Sequence, residues 1–169
     1  ELLIMIDALK RASVRRLTAV TPYFPYGRSD KKDQPRISIT ARLVADLLQV
    51  AGVDRVLALD LHSPQIQGFF SVPVDHITAV PILAGYFAAK RLENLVVVAP
   101  DAGRAKMARE YARLLQASMA IIDKRRIDNQ DNVVMDNVIG DVAGKSCLIV
   151  DDEISSGGSL VAAAETLAR

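Results

Sequence analysis

The sequence predicts an α/β fold built on parallel β-sheets. Short apolar segments rich in Val, Ile and Leu recur along the 169 residues, and helical patterns lie between most of them. This alternation is typical of α/β proteins, and continuous apolar runs predict strands that are buried on both faces. Charged residues follow nearly every predicted strand, so polar chemistry is expected at one edge of the sheet.

The elements follow one another in a regular order. The strand pattern occurs in "RLTAVTPYF", "RVLALDL", "NLVVVAPD", "MAIIDK" and "SCLIVDD". Helices are predicted in "ELLIMIDALKRA", "SITARLVADLLQVAG", "PILAGYFAAKRL", "GRAKMAREYARLLQ" and "LVAAAETLAR". In the second helix, Ser38 or Thr40 is the expected N-cap and Gly52 lies near the stop. Residues 124–145 interrupt the alternation and predict a hairpin with a basic arm, in which "VVMDNVIG" is a further strand.

Composition argues against several classes of protein. Half of the residues are hydrophobic (50%), which predicts a packed core rather than disorder, and the net charge of +1 predicts neither a nucleic-acid nor a membrane partner. The apolar runs are far shorter than the ~20 residues of a membrane-spanning helix. The single cysteine, Cys147, excludes an internal disulfide, and we expect it to be a buried, inert thiol of a cytoplasmic protein. Both ends read as interrupted helices, so we expect a fragment that lacks both ends.

A candidate metal site follows the second predicted strand. Asp60 and His62 are two residues apart, and in an extended chain both side chains face the same way. A carboxylate and an imidazole on one face can share a divalent ion, and Mg²⁺ usually keeps water molecules beside few protein ligands. The alternative is a surface carboxylate beside a packed imidazole. The other histidine, His76, is interpreted as structural.

Two further candidates follow the third and fourth predicted strands. Asp101 directly precedes a helix, where a carboxylate that caps the N-terminus explains it, and a metal or its water shell is the alternative. Lys124 and Arg126 alternate in "DKRRID". In an extended arm both point to one side and can neutralise phosphate oxygens in a transition state. A solvated basic turn is the other interpretation.

The segment "VDDEISSGGSL" carries the clearest binding motif. It follows a predicted strand and opens a helix, so backbone N–H groups and the helix dipole face an anion. Gly157 and Gly158 permit close approach of a ligand. Asp151 and Asp152 can accept hydrogen bonds from sugar hydroxyls or hold a metal. A phosphate with a ribose attached fits both halves of the motif, whose residues are Asp151, Asp152, Ser155, Ser156, Gly157, Gly158 and Ser159.

The motifs together resemble a known family. "VDDEISSGGSL" resembles the ribose-phosphate loop of phosphoribosyl-diphosphate-binding proteins. "YFPYGRSDKKD", "LDLHSPQIQGFF" and "VVVAPDAGRAK" narrow the resemblance to the ribose-phosphate pyrophosphokinases, in order along essentially the whole chain. Three residues differ from those usual in the family. In the ribose-phosphate loop, Ser155 stands where a carboxylate is usual. In "YFPYGRSDKKD", Ser29 stands where Gln is usual and Gly27 stands where Ala is usual.

The resemblance implies a fold and a reaction. It implies two similar parallel-sheet domains of the type I phosphoribosyltransferase kind, with residues 1–76 in the later part of the first and residues 77–169 in the earlier part of the second. The implied reaction transfers the diphosphate of ATP to the 1-hydroxyl of ribose 5-phosphate, with Mg²⁺, for nucleotide biosynthesis. It also implies a cytoplasmic homo-oligomer, built from dimers and up to a hexamer in size.

The resemblance also implies roles for individual residues. The implied ATP-binding residues are Arg28, Ser29 and Asp33, and the implied metal ligands are His62, Asp101 and Asp60. Lys124 and Arg126 are the implied catalytic residues, and Arg126 also binds ribose 5-phosphate together with the loop described above. The alternatives are a catalytically weak regulatory subunit of the same family, and a phosphoribosyltransferase or ligand-sensing regulator on the same fold.

Overall fold

The computed structural model describes residues 1–126 and 133–169, with the backbone alone at 124–126 and 133–136. The chain divides into two compact units, Glu1–Ala79 and Val80–Arg169. Each unit combines helices with a sheet that contains parallel strands. The predicted α/β class is therefore confirmed in both units.

The first unit is a three-stranded parallel sheet with helices. Its sheet order is β1-β2-β3, and both neighbouring pairs are parallel. The elements are α1 (Leu2–Arg11), β1 (Thr18–Thr21), α2 (Thr40–Ala51), β2 (Arg55–Leu59), a 3₁₀ helix (Pro64–Phe69) and β3 (Val74–Ile77). The strand β3 is a finding of the structure, because the sequence pattern did not predict it.

The core of the first unit lies on one face of its sheet. It joins Ile6 of α1, Leu48 of α2, Val56 of β2 and Ile66 of the 3₁₀ helix, which are all buried. Along β1, by contrast, buried and exposed residues alternate, and Val20 is 59% exposed. The expectation that the strands are buried on both faces is therefore wrong for this strand.

The start of α2 differs from the prediction, while its end agrees. The helix begins at Thr40, whose N–H donates to the hydroxyl of Ser29 at 3.2 Å. The capping group thus comes from the preceding long loop rather than from Ser38 or Thr40. Gly52 follows the last turn with a φ of 103°, a left-handed conformation that glycine adopts without strain.

The second unit is a four-stranded mixed sheet with three α-helices among its described residues. The sheet order is β6-β5-β4-β7, in which only the pairing of β5 with β6 is antiparallel. The elements are α3 (Val80–Ala89), β4 (Leu95–Ala99), a 3₁₀ helix (Ala102–Arg104), α4 (Ala105–Leu115), β5 (Ser118–Arg126), β6 (Val133–Ile139), β7 (Ser146–Ile149) and α5 (Gly158–Leu167). The predicted hairpin is therefore present as β5 and β6.

The central strand β4 of the second unit is covered on both faces. Val97 packs with Tyr111 of α4 on one side, and Val96 and Val98 pack with Ala163 of α5 on the other. Here the prediction of a fully buried strand holds. It fails at β7, an edge strand in which Cys147 is exposed. The expectation of a buried thiol is therefore wrong, because the edge position leaves that residue uncovered.

Within residues 1–126 and 133–169, no helix combines the length and the apolar content that a bilayer crossing requires.

Truncation of Ile66 should test the core of the first unit. Ile66 is fully buried, so we expect Ile66→Ala to lower the free energy of unfolding by about 2–5 kcal/mol, through lost burial and the cavity left behind. Ile66→Val is the matched control and should cost about 0.5–1.5 kcal/mol. Chemical denaturation of the full protein measures both. Equal losses of stability in the two variants would contradict this prediction, because they would show that the surrounding core closes around the alanine and leaves no cavity.

Candidate functional site

The predicted site residues lie at or beyond the carboxyl ends of strands in both units. In the first unit they follow β1 and β2, and in the second they follow β4 and β7 or lie on β5. The residues after β1 are Arg28, Ser29 and Asp33, those after β2 are Asp60 and His62, the one after β4 is Asp101, those on β5 are Lys124 and Arg126, and those after β7 are Asp151, Asp152 and residues 155–159.

Three charged side chains meet at one edge of the second sheet. The guanidinium of Arg104 bridges the two neighbouring carboxylates, with Nε 3.2 Å from Asp151 Oδ1 and Nη2 3.2 Å from Asp152 Oδ1. These side chains are only 17%, 18% and 4% exposed, in the order Arg104, Asp151, Asp152. The backbone N–H of Asp152 also donates to Asp151 Oδ1 at 2.9 Å. We call these three residues the Arg104 triad.

The fold brings Arg104 to the acidic pair. The strands β4 and β7 are parallel neighbours, so the chain leaves both at the same edge of the sheet. After β4, the side chain of Asp101 accepts a hydrogen bond from the N–H of Arg104 at 3.2 Å and caps the short 3₁₀ helix. This is the capping arrangement anticipated for Asp101. The cap fixes the backbone at the point from which Arg104 reaches the end of β7.

Burial changes the acidity of Asp151. Removal from water raises its pKa to about 6, the neighbouring Asp152 carboxylate adds to the increase, and Arg104 opposes it. Asp151 also lines an apolar pocket of about 140 Å³, together with Tyr111, Val150 and Leu160 among others. At neutral pH the carboxyl is ionised, and it then depends on Arg104 for compensation of its charge.

The loop after the triad has the shape that the sequence predicts. Gly157 has a φ of +79°, and α5 begins at Gly158. A φ in this range favours glycine, since a Cβ would introduce strain. Ser155, Ser156 and Ser159 are exposed, so their hydroxyls lie open to solvent. Hydroxyls and a helix N-terminus together suit an anionic group.

In the first unit, the chain after β2 is tied to β3. Asp60 has a φ of +44°, so the backbone is not extended there, and the argument that Asp60 and His62 must face the same way is wrong. The Asp60 carboxylate accepts hydrogen bonds from Thr78 Oγ1 at 2.7 Å and from the N–H of Ala79 at 3.0 Å. His76 Nε2 accepts a hydrogen bond from the N–H of Leu61 at 3.0 Å. These contacts fix the backbone on which His62 sits.

Ser29 has a structural contact that its sequence position did not reveal. Its hydroxyl accepts the Thr40 N–H, and its backbone oxygen accepts the N–H of Ala41 at 3.1 Å. Ser29 therefore holds the loop against the first turn of α2. Its neighbours in the predicted ATP site, Arg28 and Asp33, are exposed on the same loop.

The backbone of the basic arm is a strand. Lys124 pairs with Met135 and Arg126 pairs with Val133, after a shift of register between Asp123 and Lys124. The condition of an extended arm is thus met. The side chains of Lys124 and Arg126 lie outside the described part of the structure, so their direction stays a prediction.

Comparison with known proteins points to the same family that the sequence motifs resemble. Residues 1–52 match the family model described as the N-terminal domain of ribose phosphate pyrophosphokinase, and residues 74–169 match the phosphoribosyl transferase domain. A ribose-phosphate pyrophosphokinase of Bacillus caldolyticus is 55% identical over 100% of this chain and 53% of its own length. That of Aquifex aeolicus (strain VF5) is 53% identical over 99% of this chain and 54% of its own length.

The chain belongs to the ribose-phosphate pyrophosphokinase family.

A solved structure extends the likeness to the fold. The phosphoribosylpyrophosphate synthetase of Mycobacterium smegmatis superposes with a TM-score of 0.89 at 48% identity, covering 98% of this chain and 54% of that one. The type I phosphoribosyltransferase-like fold is therefore confirmed. The chain spans about half the length of these pyrophosphokinase relatives.

Sequence reasoning missed Arg104, whereas its interpretation of His76 as structural agrees with the hydrogen bond from Leu61. A signal for Arg104 was present, because it lies three residues after Asp101, beyond the same strand end. No sequence signal identifies its partners, since Asp151 and Asp152 lie nearly fifty residues away. The hydrogen bond from Leu61 to His76 likewise depends on the pairing of β2 with β3.

The raised pKa of Asp151 gives a pH prediction. The folded state holds this proton more tightly than the unfolded chain, so Asp151 should make stability fall as pH rises from about 4 to about 6, and contribute no further change above that range. We expect Asp152→Asn to lower the pKa of Asp151, because Asp152 raises it. Carbon-13 NMR of the Asp151 carboxyl follows the titration. An unchanged midpoint in the variant would contradict the coupling of the two carboxylates.

Proposed function

We propose that the full protein transfers the β,γ-diphosphate of ATP to the 1-hydroxyl of ribose 5-phosphate. The observation that carries the proposal is the carboxylate pair at the end of β7, which leads directly into the exposed serine and glycine loop. The names of the relatives point to the same reaction. The regulatory alternatives are not favoured, because these relatives are named as pyrophosphokinases or synthetases.

The ribose 5-phosphate half of the reaction is assigned to the second unit. Asp151 and Asp152 accept hydrogen bonds from ribose hydroxyls, and residues 155–159 bind the 5-phosphate. A carboxylate that accepts from a hydroxyl forms a charge-assisted hydrogen bond, which is stronger than a neutral one. The loop binds phosphate through hydroxyls and backbone N–H groups at the start of α5. Together these contacts fix both ends of the sugar and orient its 1-hydroxyl.

The reaction forms one bond and breaks one. The 1-hydroxyl oxygen of ribose attacks the β-phosphorus of ATP, the bond from that phosphorus to the α,β-bridging oxygen breaks, and AMP leaves with the electron pair. The hydroxyl proton is lost to solvent or base as the bond forms. Such in-line transfers depend mainly on positioning and on charge neutralisation. We assign the neutralisation to Lys124 and Arg126, and the ATP contacts to Arg28, Ser29 and Asp33.

The predicted Mg²⁺ ligands fit the ion unequally. Magnesium prefers oxygen ligands and is usually held by one or two carboxylates together with substrate phosphates. Among the described residues there is no group of three or more His, Cys, Asp or Glu side chains that could hold a metal, which suits an ion held mainly by a nucleotide. Asp101, His62 and Asp60 are the proposed ligands. Asp101 and Asp60 offer carboxylate oxygens but already accept one and two hydrogen bonds, respectively, and His62 offers a nitrogen. When bound, the ion withdraws charge from the phosphate oxygens.

Several wider assignments belong to this proposal. The first unit corresponds to the later part of an N-terminal domain, and the second to the earlier part of a C-terminal domain. The homo-oligomer built from dimers and the cytoplasmic location stay predictions that follow from the family.

A direct assay tests the function. The full protein, incubated with ATP, Mg²⁺ and ribose 5-phosphate, should form AMP and phosphoribosyl diphosphate in equal amounts. Omission of ribose 5-phosphate is the control and should abolish AMP formation. Binding of ribose 5-phosphate without any AMP above background would reject the enzyme and support a regulatory protein.

Removal of the basic arm's charge tests the catalytic assignment. We expect Lys124→Ala to lower kcat by about 10²–10³-fold with little change in the KM for ribose 5-phosphate, because its charge acts mainly on the transition state. Lys90→Ala is the matched control, since Lys90 is exposed at the end of α3 beside Tyr86. Steady-state kinetics measure both variants. An equal loss of substrate affinity and rate would assign Lys124 to ground-state binding instead.

A further inference from the structure

The Arg104 triad has a consequence that goes beyond the proposed reaction and rests on it. We propose that Arg104 is a positioning residue that reserves the Asp151–Asp152 pair for ribose hydroxyls and keeps divalent cations off it. Two adjacent carboxylates at a strand end are otherwise suited to either ligand. The guanidinium decides between them.

The geometry supports exclusion of a cation. One guanidinium contacts both carboxylates through two different nitrogens, Nε and Nη2, each at 3.2 Å. A divalent ion on the same oxygens would have to displace this group or lie beside its positive charge. With all three side chains at least four-fifths buried, little solvent screens that repulsion. The single charge of Arg104 also leaves the pair with a net negative charge.

The same geometry supports binding of hydroxyls. A carboxylate has about four positions at which it accepts hydrogen bonds, and a guanidinium has donors but no acceptor. Asp151 and Asp152 can therefore keep Arg104 and still accept from the hydroxyls of a ribose. Arg104 also restricts rotation of both carboxylates, so the sugar meets an arranged pair rather than a mobile one.

The position of Arg104 is itself fixed by the fold. Its backbone N–H donates to Asp101 at 3.2 Å, and the next residue begins α4. The side chain therefore starts from a capped turn at the end of β4 and crosses to the end of β7. Lysine has a single point charge at the end of a flexible stem, and it cannot donate from two fixed nitrogens in this way.

Kinetics and metal binding test the proposal together. In the full protein we expect Arg104→Gln to raise the KM for ribose 5-phosphate by about tenfold or more, because the two carboxylates are then no longer held in place before the sugar binds, while the KM for ATP changes less than about twofold. The variant should also gain one Mn²⁺ site in the absence of nucleotide, measured by electron paramagnetic resonance. Asp152→Asn in the same background should remove that site.

Two further variants complete the experiment. Arg113→Gln removes the same charge from an exposed position on α4, the helix that follows Arg104, and should change neither KM nor Mn²⁺ stoichiometry. Arg104→Lys should give an intermediate KM for ribose 5-phosphate, and it replaces the Gln variant if that one does not fold. An unchanged KM for ribose 5-phosphate, an equal loss for ATP, or no added Mn²⁺ site would each overturn the proposal.

A failure of the proposed role of Arg104 can be distinguished from a failure of the proposed reaction. Calorimetric titration of ribose 5-phosphate measures binding without catalysis, so the effect of Arg104 is visible even if the wild-type protein forms no AMP. If the wild-type protein neither forms AMP nor binds ribose 5-phosphate, the proposed function and the hydroxyl-binding part fail together. The gain of a Mn²⁺ site in Arg104→Gln then still decides whether the guanidinium excludes cations.

Discussion

Two largely buried carboxylates just beyond the end of β7 need a compensating cation, and in this protein Arg104 supplies it. Asp151 and Asp152 are nearly buried, and isolated charges in such surroundings are strongly unfavourable. Their compensation must come from a neighbouring strand end, because the loop that follows them contains no basic residue. The parallel pairing of β4 with β7 meets this need by placing the turn after β4 at the same edge. The arrangement of the second unit's site depends on that contact.

In the first unit, too, the chain after one strand is held by contacts with the end of a neighbouring strand, but these contacts are hydrogen bonds rather than ion pairs. Its β2 and β3 are parallel neighbours, and the chain after β2 is held by groups at or after β3. Asp60 accepts from Thr78 and Ala79, and Leu61 donates to His76. In both units, contacts between neighbouring strand ends hold the segments that carry the predicted ligands. Loops fixed in this way keep their ligand-binding side chains in place, which reduces the ordering that binding requires.

The sequence was sufficient to predict a structural property where that property depends on residues close together in the chain. Five apolar runs and the hairpin strand were predicted as strands, and Gly52 and Gly157 mark a helix end and a loop that need left-handed backbone. It was insufficient where a property depends on pairing between distant segments. The strand β3, the exposure of Cys147 on an edge strand and the ion pairs of Arg104 all follow from sheet order, which no local pattern contains.

Ser29 shows how this limit affects the interpretation of a site. Its resemblance to a nucleotide-binding position suggests a contact with ATP, yet its hydroxyl accepts the Thr40 N–H and so caps α2. A hydroxyl can both donate and accept, and Ser29 Oγ also lies 3.0 Å from the backbone oxygen of Ser38. In the proposed ATP site, Ser29 would therefore act chiefly through the loop that it fixes, on which Arg28 is the adjacent residue.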